Sequence, residues 1–366
     1  MPSDDPGQLL LMGVPGTTLN TETAAFLQKI QPGGFILFGR NIETPAQLRA
    51  LIDDLRDLSD VEPLVTIDQE GGRVSRLRLL GHEPPNARQL REHGNPALIR
   101  AHGDITGRLL RLFGFNLDLC PVLDIAFDDE ADNSLRGRCY GTTAAEVIEK
   151  ASIFNDALRA AGILSCGKHF PGYSSAGLDP HHEMPRIERS REELEAHELA
   201  VFRHFVDTVD SMMIGHIAIS GIEPGGPPAS LSHVVINDLL RTEMGFRGLV
   251  MTDDLDMGAI LHHYGFAETM RLGISAGNDL LMLCHRVEMA AEARDVLAGL
   301  PTHALSPALE RVAAFKKKLA PPTTFSEQAF AGIDNEVRGL RAAVLGEEEA
   351  DSHSPEDGKR SPVELY

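Results

Sequence analysis

The sequence predicts an α/β fold, a closed (β/α)8 TIM-like barrel, and three observations lead there. Eight short apolar runs recur along the chain, amphipathic stretches separate most of them, and ionisable side chains end five consecutive runs. Near-continuous apolar strands alternating with helices imply a parallel sheet covered on both faces. Eight such units point to closure. The competing arrangement is an open doubly wound sheet; no GxGxxG follows the first run, which weakens its dinucleotide-binding version.

The runs are QLLLMGV (8–14), GFILFG (34–39), PLVTID (63–68), NLDLCPVLD (116–124), ILSCGKHF (163–170), SMMIGHIAI (211–219), GLVMTDD (248–254) and DLLMLC (279–284). Their shortness and glycine flanks favour strand over buried helix. TPAQLRALIDDLRDL opens a helix: Thr44 is the N-cap, Pro45 the first helical residue and Gln47 the return partner of a capping box. Leu48, Leu51, Ile52 and Leu55 then share one face. SREELEAHELAVFRHF repeats the device with Ser190 and Glu193. TTAAEVIEKASIFNDALRAAG aligns Val147, Ala151, Phe154 and Leu158 and stops at Gly162.

With 366 residues, 42% of them hydrophobic, the chain can bury a large core, and residues 1–345 are expected to form one barrel domain with C-terminal helices. Residues 346–366, GEEEADSHSPEDGKRSPVELY, have many charges and no apolar face, and are expected to form a disordered acidic tail. A net charge of −20 without a Lys/Arg stripe argues against nucleic acid and anionic membrane as partners. Cys120, Cys139, Cys166 and Cys284 form no CxxC pair and sit in or near apolar runs, as reduced thiols of a cytoplasmic protein do. The N-terminus has no basic n-region or long apolar segment, and no run of about 18 apolar residues occurs, so neither a signal peptide nor a membrane helix is expected.

Active sites of such barrels lie at the C-terminal strand ends. Those ends carry Asp68, Asp124, Lys168 with His169, His216, and Asp253 with Asp254. A single carboxylate there is readily an N-cap; five strand ends in succession, one with a Lys-His pair, describe a site. IDQEGGRVSRL sets Asp68 beside a glycine pair, Arg73 and Arg76, and arginines beside carboxylates suit hydroxyl-rich ligands. Asp253 offers a nucleophile or base, while Asp254 or Asp256 is suited to capping. Metal binding is the rival reading of the Asp/His set. His181, His182 and Glu183 are adjacent, so their side chains diverge, and no HExxH or Cys/His spacing occurs. No metal or organic cofactor is expected.

The motifs IDQEGGRVSRL, GFNLDLCPVLDI, GRCYG, KHFPG, DPH, PASLSHVVINDLLRTEMGFRGLVMTDDLDMGAI and AGNDLLML resemble, in order from about residue 8 to 300, the single-domain bacterial β-N-acetylhexosaminidases of glycoside hydrolase family 3. The resemblance implies a (β/α)8-like barrel, a carbohydrate substrate and a retaining two-step mechanism. It implies Asp253 as nucleophile, His181 as general acid/base paired with Asp179, and Asp68, Arg76, Arg138, Lys168 and His169 as sugar-binding residues. Asp124, His216 and Met257 also stand in family motifs. Most retaining glycosidases use two carboxylates; this branch replaces one by a His-Asp dyad. Asp179 would stabilise the imidazolium and fix its tautomer.

The sequence departs from the family around that loop. Where the family reads KHFPGHG and DSH, this chain reads KHFPGYS and DPH, so Tyr173 replaces a histidine and Pro180 a serine. Pro180 restricts Asp179 towards extended backbone. The expected activity is exo-β-N-acetylglucosaminidase, acting on cell-wall or chitooligosaccharide fragments. A related β-glycosidase, a phosphorylase (a histidine acid repels incoming phosphate less than a glutamate) and a sugar-binding pseudoenzyme are the alternatives.

Overall fold

The structure, a computed structural model, describes residues 4–130, 133–173, 185–256, 260 and 263–354. All eight apolar runs become barrel strands: β1 Leu10–Gly13, β2 Gly34–Leu37, β3 Leu64–Ile67, β4 Leu117–Asp118, β5 Leu164–Phe170, β6 Ser211–Ile214, β7 Leu249–Asp254 and β8 Leu280–Leu283. They close in the order β1-β8-β7-β6-β5-β4-β3-β2, every pair parallel. Every residue of β1, β2, β3, β6 and β8 is buried, as strands covered on both faces must be.

Two runs are strands over only part of their length. In 116–124 the ladder is interrupted at Cys120-Pro121, since proline has no N–H to give. The carbonyls of Cys120 and Pro121 still accept from Cys166 and Lys168, at 2.8 and 3.2 Å. In 211–219 the barrel strand ends at Ile214, and Ala218–Ile219 pairs with Arg186–Ile187 instead. That small parallel pair fixes the stretch that begins at Pro185.

The helix starts follow the capping chemistry. α1 is Thr21–Ile30 and α2 is Pro45–Asp57; the Thr44/Gln47 box caps α2, and Leu48, Leu51, Ile52 and Leu55 are buried. Ser190 and Glu193 cap Arg191–Ala196, which breaks at His197 before a second helix, Glu198–Phe205. No described helix is long and apolar enough to cross a membrane.

Residues 346–354 lie on the barrel flank: Ala350 is fully buried, and Arg341 reaches the Glu349 carbonyl at 2.8 Å. Ser354 donates from its amide and hydroxyl to the buried Glu83 carboxylate, at 3.0 and 2.6 Å to Oε1. Polar pairing to a buried acid orders this stretch, and no apolar face was needed. The rest of the tail lies outside the described residues.

Candidate active site

At the end of β3 the chain passes through Asp68 into a hairpin of Gln69–Gly71 against Val74–Ser75. Gly71 and Gly72 turn it with φ of +102° and +57°, values open to glycine. The turn brings Asp68 and Glu70 to one cation. Lys168 Nζ, at the end of β5, lies 2.6 Å from Asp68 Oδ1 and 2.7 Å from Glu70 Oε1. Arg138, from the loop after β4, meets Glu70 in a bidentate pair with both contacts at 2.7 Å. Arg76 Nη2 approaches Asp68 Oδ2 at 3.4 Å.

Three cations thus face two carboxylates in a nearly closed cradle. Burial pushes the Glu70 carboxyl up, but Arg138 and Lys168 overcome it and hold it well below the usual range. Asp68 behaves likewise under Lys168 and Arg76. Burial alone would lower the Lys168 ammonium; Asp68 and Glu70 raise it above its ordinary value. Asp68, Glu70, Lys168 and Arg138 are therefore charged at neutral pH. Asp118, beneath them, is different. Burial pushes its carboxyl well up, and its Oδ2 has no hydrogen-bond partner.

A second cluster hangs on Asp124, after β4. Its Oδ2 takes His169 Nδ1 at 2.7 Å and the His169 amide at 3.1 Å, while Oδ1 takes the Tyr173 amide at 2.7 Å. Asp124 therefore holds both ends of the turn that closes β5. His169 presents its Nε2 edge from that fixed ring. The third cluster is on β7. Asp253 Oδ1 accepts the Asp254 amide at 2.9 Å, and the Tyr173 hydroxyl stands 3.4 Å from Asp253 Oδ2. The buried His216 binds Ser230 Oγ through Nδ1 at 2.7 Å and the Asp254 carbonyl through Nε2 at 2.8 Å. A carbonyl only accepts, so Nε2 carries the proton.

Asp254 and Asp256 hold loops together. Asp254 Oδ1 accepts the amides of Asp256 and Cys284, and Asp256 Oδ2 those of His285 and Arg286. Burial and then Asp256 push the Asp254 carboxyl above the usual range. Asp254, Cys284 and His285 bring an oxygen, a sulfur and a nitrogen within 4.8 Å of one another, a donor set that zinc accepts. Arg40 Nη1 lies 3.1 Å from His285 Nδ1, setting a fixed positive charge against the trio. Burial also pushes the Cys284 thiol well up.

Asp68, Arg76, Arg138, Lys168, His169 and Asp253 thus all fall at the C-terminal mouth. Asp179, His181 and Met257 lie outside the described residues. Arg73 donates to the Ser134 carbonyl at 2.8 Å, in the same loop as Arg138. Glu70 was missed, although its position two residues after Asp68 in a strand-like run puts both on one side. Tyr173 was noted only as a departure from a motif.

An (β/α)8 barrel whose mouth gathers paired carboxylates, arginines, a lysine and histidines is an enzyme scaffold with a polar-ligand site. Residues 3–315 match the glycosyl hydrolase family 3 N terminal domain, and the chain belongs to that family of glycoside hydrolases. It is 34% identical over 295 residues to a beta-hexosaminidase of Photobacterium profundum, covering 80% of this chain and 85% of the relative. A beta-hexosaminidase of Alkalilimnicola ehrlichii is 35% identical over 286 residues, covering 76% and 81%. Among solved structures, a family 3 beta-N-acetylglucosaminidase from Paenibacillus sp. superposes with a TM-score of 0.85 at 32% identity, over 93% of this chain and 68% of that one.

Proposed function

We propose that the protein is a retaining exo-β-N-acetylglucosaminidase that releases terminal β-linked N-acetylglucosamine from cell-wall or chitooligosaccharide fragments in the cytoplasm. The observation that carries the reading is the cradle of Lys168, Asp68 and Glu70 at the same barrel mouth as Asp253. Fixed charges of both signs suit a pyranose, whose hydroxyls both donate and accept. In this reading Asp68, Arg76, Arg138, Lys168 and His169 hold the non-reducing sugar, and Glu70 keeps Lys168 and Arg138 in place. Rigid strand ends give the orientation that displacement at one carbon needs.

Asp253 attacks the anomeric carbon as the bond to the leaving oxygen breaks. His181, held by Asp179, gives that oxygen its proton. Water then attacks the same carbon, passing a proton to His181, and the Asp253 carboxylate departs. Two inversions give net retention. The Paenibacillus likeness supports the N-acetyl sugar, and four free, buried cysteines support a reducing compartment.

A panel of aryl β-glycosides tests the proposal. N-Acetylglucosaminide is expected to be hydrolysed at least 100-fold faster than glucoside or xyloside, and to yield free sugar with or without phosphate. A preference for glucoside or xyloside, or a sugar 1-phosphate product, contradicts it. His181→Ala is expected to spare acidic phenol leaving groups and to cost on the order of 10² for sugar leaving groups. Asp179→Ala is expected to add little to that change.

A further inference from the structure

We infer that Tyr173 positions Asp253 and assists the second displacement, its hydroxyl donating to the Asp253 oxygen that must leave the sugar as carboxylate. The inference rests on Asp253 as nucleophile. A phenol has one proton to give. The Tyr173 oxygen accepts the His216 amide at 2.7 Å, and Asp253 Oδ2 stands 3.4 Å away. An acceptor is thus supplied on one side and a donor demanded on the other. At 3.4 Å the bond is long, and catalytic hydrogen bonds of this kind tighten in the reacting complex. Asp253 Oδ1 is meanwhile held by the Asp254 amide, so donors from β5 and β7 fix the carboxylate plane.

The ring is held as tightly as the hydroxyl. Tyr173 is 6% exposed, its amide is bonded to Asp124, and its ring lies 5.1 Å from that of His169. On the far side the chain has glycine at 215, where a Cβ would come within 2.9 Å of the tyrosine Cζ and 3.0 Å of its hydroxyl. Any larger residue there would displace the phenol. Burial, and then the Asp253 charge, push this phenol well above its ordinary pKa. It stays a proton donor across the working range. The histidine usual at this motif position would titrate within that range.

The chemistry distinguishes the two steps. In the first, the carboxylate charge disperses as the Asp253–carbon bond forms, so a donor to it is worth less at the transition state than before. In the second, water adds to the anomeric carbon, its proton goes to the general base, the Asp253–carbon bond breaks, and the charge returns to the carboxylate. A donor is then worth more at the transition state. The hydroxyl therefore favours breakdown of the glycosyl-enzyme.

Tyr173→Phe tests this, because it keeps the ring that fills the space beside Gly215. With a dinitrophenyl N-acetylglucosaminide, single-turnover phenol release reports the first step and decay of the intermediate the second. Decay is expected to slow about 10- to 100-fold, the size of a lost hydrogen bond to a charged group, with phenol release changed less than about threefold. The acid limb of kcat/KM is expected to move to higher pH, as Asp253 loses a donor. His169, His216, Asp124 and Asp254 surround the pair and are unchanged. Incorporating 3-fluorotyrosine at 173 preserves shape and strengthens the donor, so decay is expected at the native rate or faster. Equal slowing of both steps with an unmoved acid limb, or a fluorotyrosine protein that behaves like the phenylalanine variant, overturns the inference. Asp253→Ala is measured alongside: if it retains turnover, the nucleophile reading has failed, whatever Tyr173 does.

Discussion

Two lysines are buried at opposite ends of the barrel, and they answer burial in opposite ways. Lys168 stands at the C-terminal mouth, 2% exposed, between the carboxylates of Asp68 and Glu70. Lys316 belongs to the helix Thr302–Lys316 and sits beneath β1, 8% exposed, with its ammonium 2.7 Å from the amide oxygen of Gln8. Desolvation lowers both. At the mouth two carboxylates reverse it, and Lys168 is held above its ordinary range. At the base a neutral amide cannot, and Lys316 is pushed down to about 7. The mouth maintains fixed charges in a dry place, which is what electrostatic recognition of a polyol requires. The base merely tolerates a buried amine.

Breaking the mouth is expected to have the larger effect. Lys168→Ala leaves Asp68 and Glu70 buried beside Arg76 and Arg138 only. A fall in kcat/KM on the order of 10³ is expected, equal for dinitrophenyl and sugar leaving groups, because the lost contact orients the retained sugar. Removing one member of a buried ion network also costs about 3–5 kcal/mol of stability, so denaturant melts accompany the kinetics. A loss confined to poor leaving groups assigns Lys168 to acid catalysis instead.

Lys316→Met probes the other end. An amine with a lower pKa folded than unfolded makes the fold lose stability as pH falls from about 10.4 towards the folded value. For Lys316 that window runs down to about 7. The methionine variant is expected to be more stable below pH 7 by up to ~5 kcal/mol, less whatever the lost Gln8 contact contributes. The gain is expected to vanish above pH 10.5, with turnover unchanged. Denaturant midpoints at pH 6.5 and 11 separate this from a packing effect, which would be the same at both.

The smallest change expected is at the flank. Ser354→Ala removes the hydroxyl 2.6 Å from the buried Glu83 carboxylate. A loss of about 1–2 kcal/mol is expected in chemical denaturation, with no change in turnover.

The strand ends at the mouth were legible because apolar runs of strand length mark where a barrel strand stops, and the ends of β3, β5 and β7 carry or adjoin Asp68, Lys168 with His169, and Asp253 with Asp254. The capping boxes at Thr44 and Ser190 were legible because their chemistry is local. Glu70 was overlooked because its role arises from Lys168 and Arg138, one 98 residues and the other 68 residues away in sequence. The Asp124 clamp on His169 and Tyr173 needs the register of β4 against β5, which a proline interrupts. The packing of 346–354 was not legible, because composition reports apolar burial and is silent about a buried carboxylate on another part of the chain.

Retention through Asp253 requires a covalent intermediate on that residue, beside this charged cradle. The most direct measurement is to trap it with a 5-fluoro N-acetylglucosaminyl fluoride and locate the added sugar by peptide mass spectrometry. One sugar per chain is expected on the peptide containing Asp253, with fragmentation placing it on that residue and no trapping in Asp253→Ala. Labelling of Asp254 with Asp253 left free, or rapid turnover of the reagent without a covalent adduct, contradicts it.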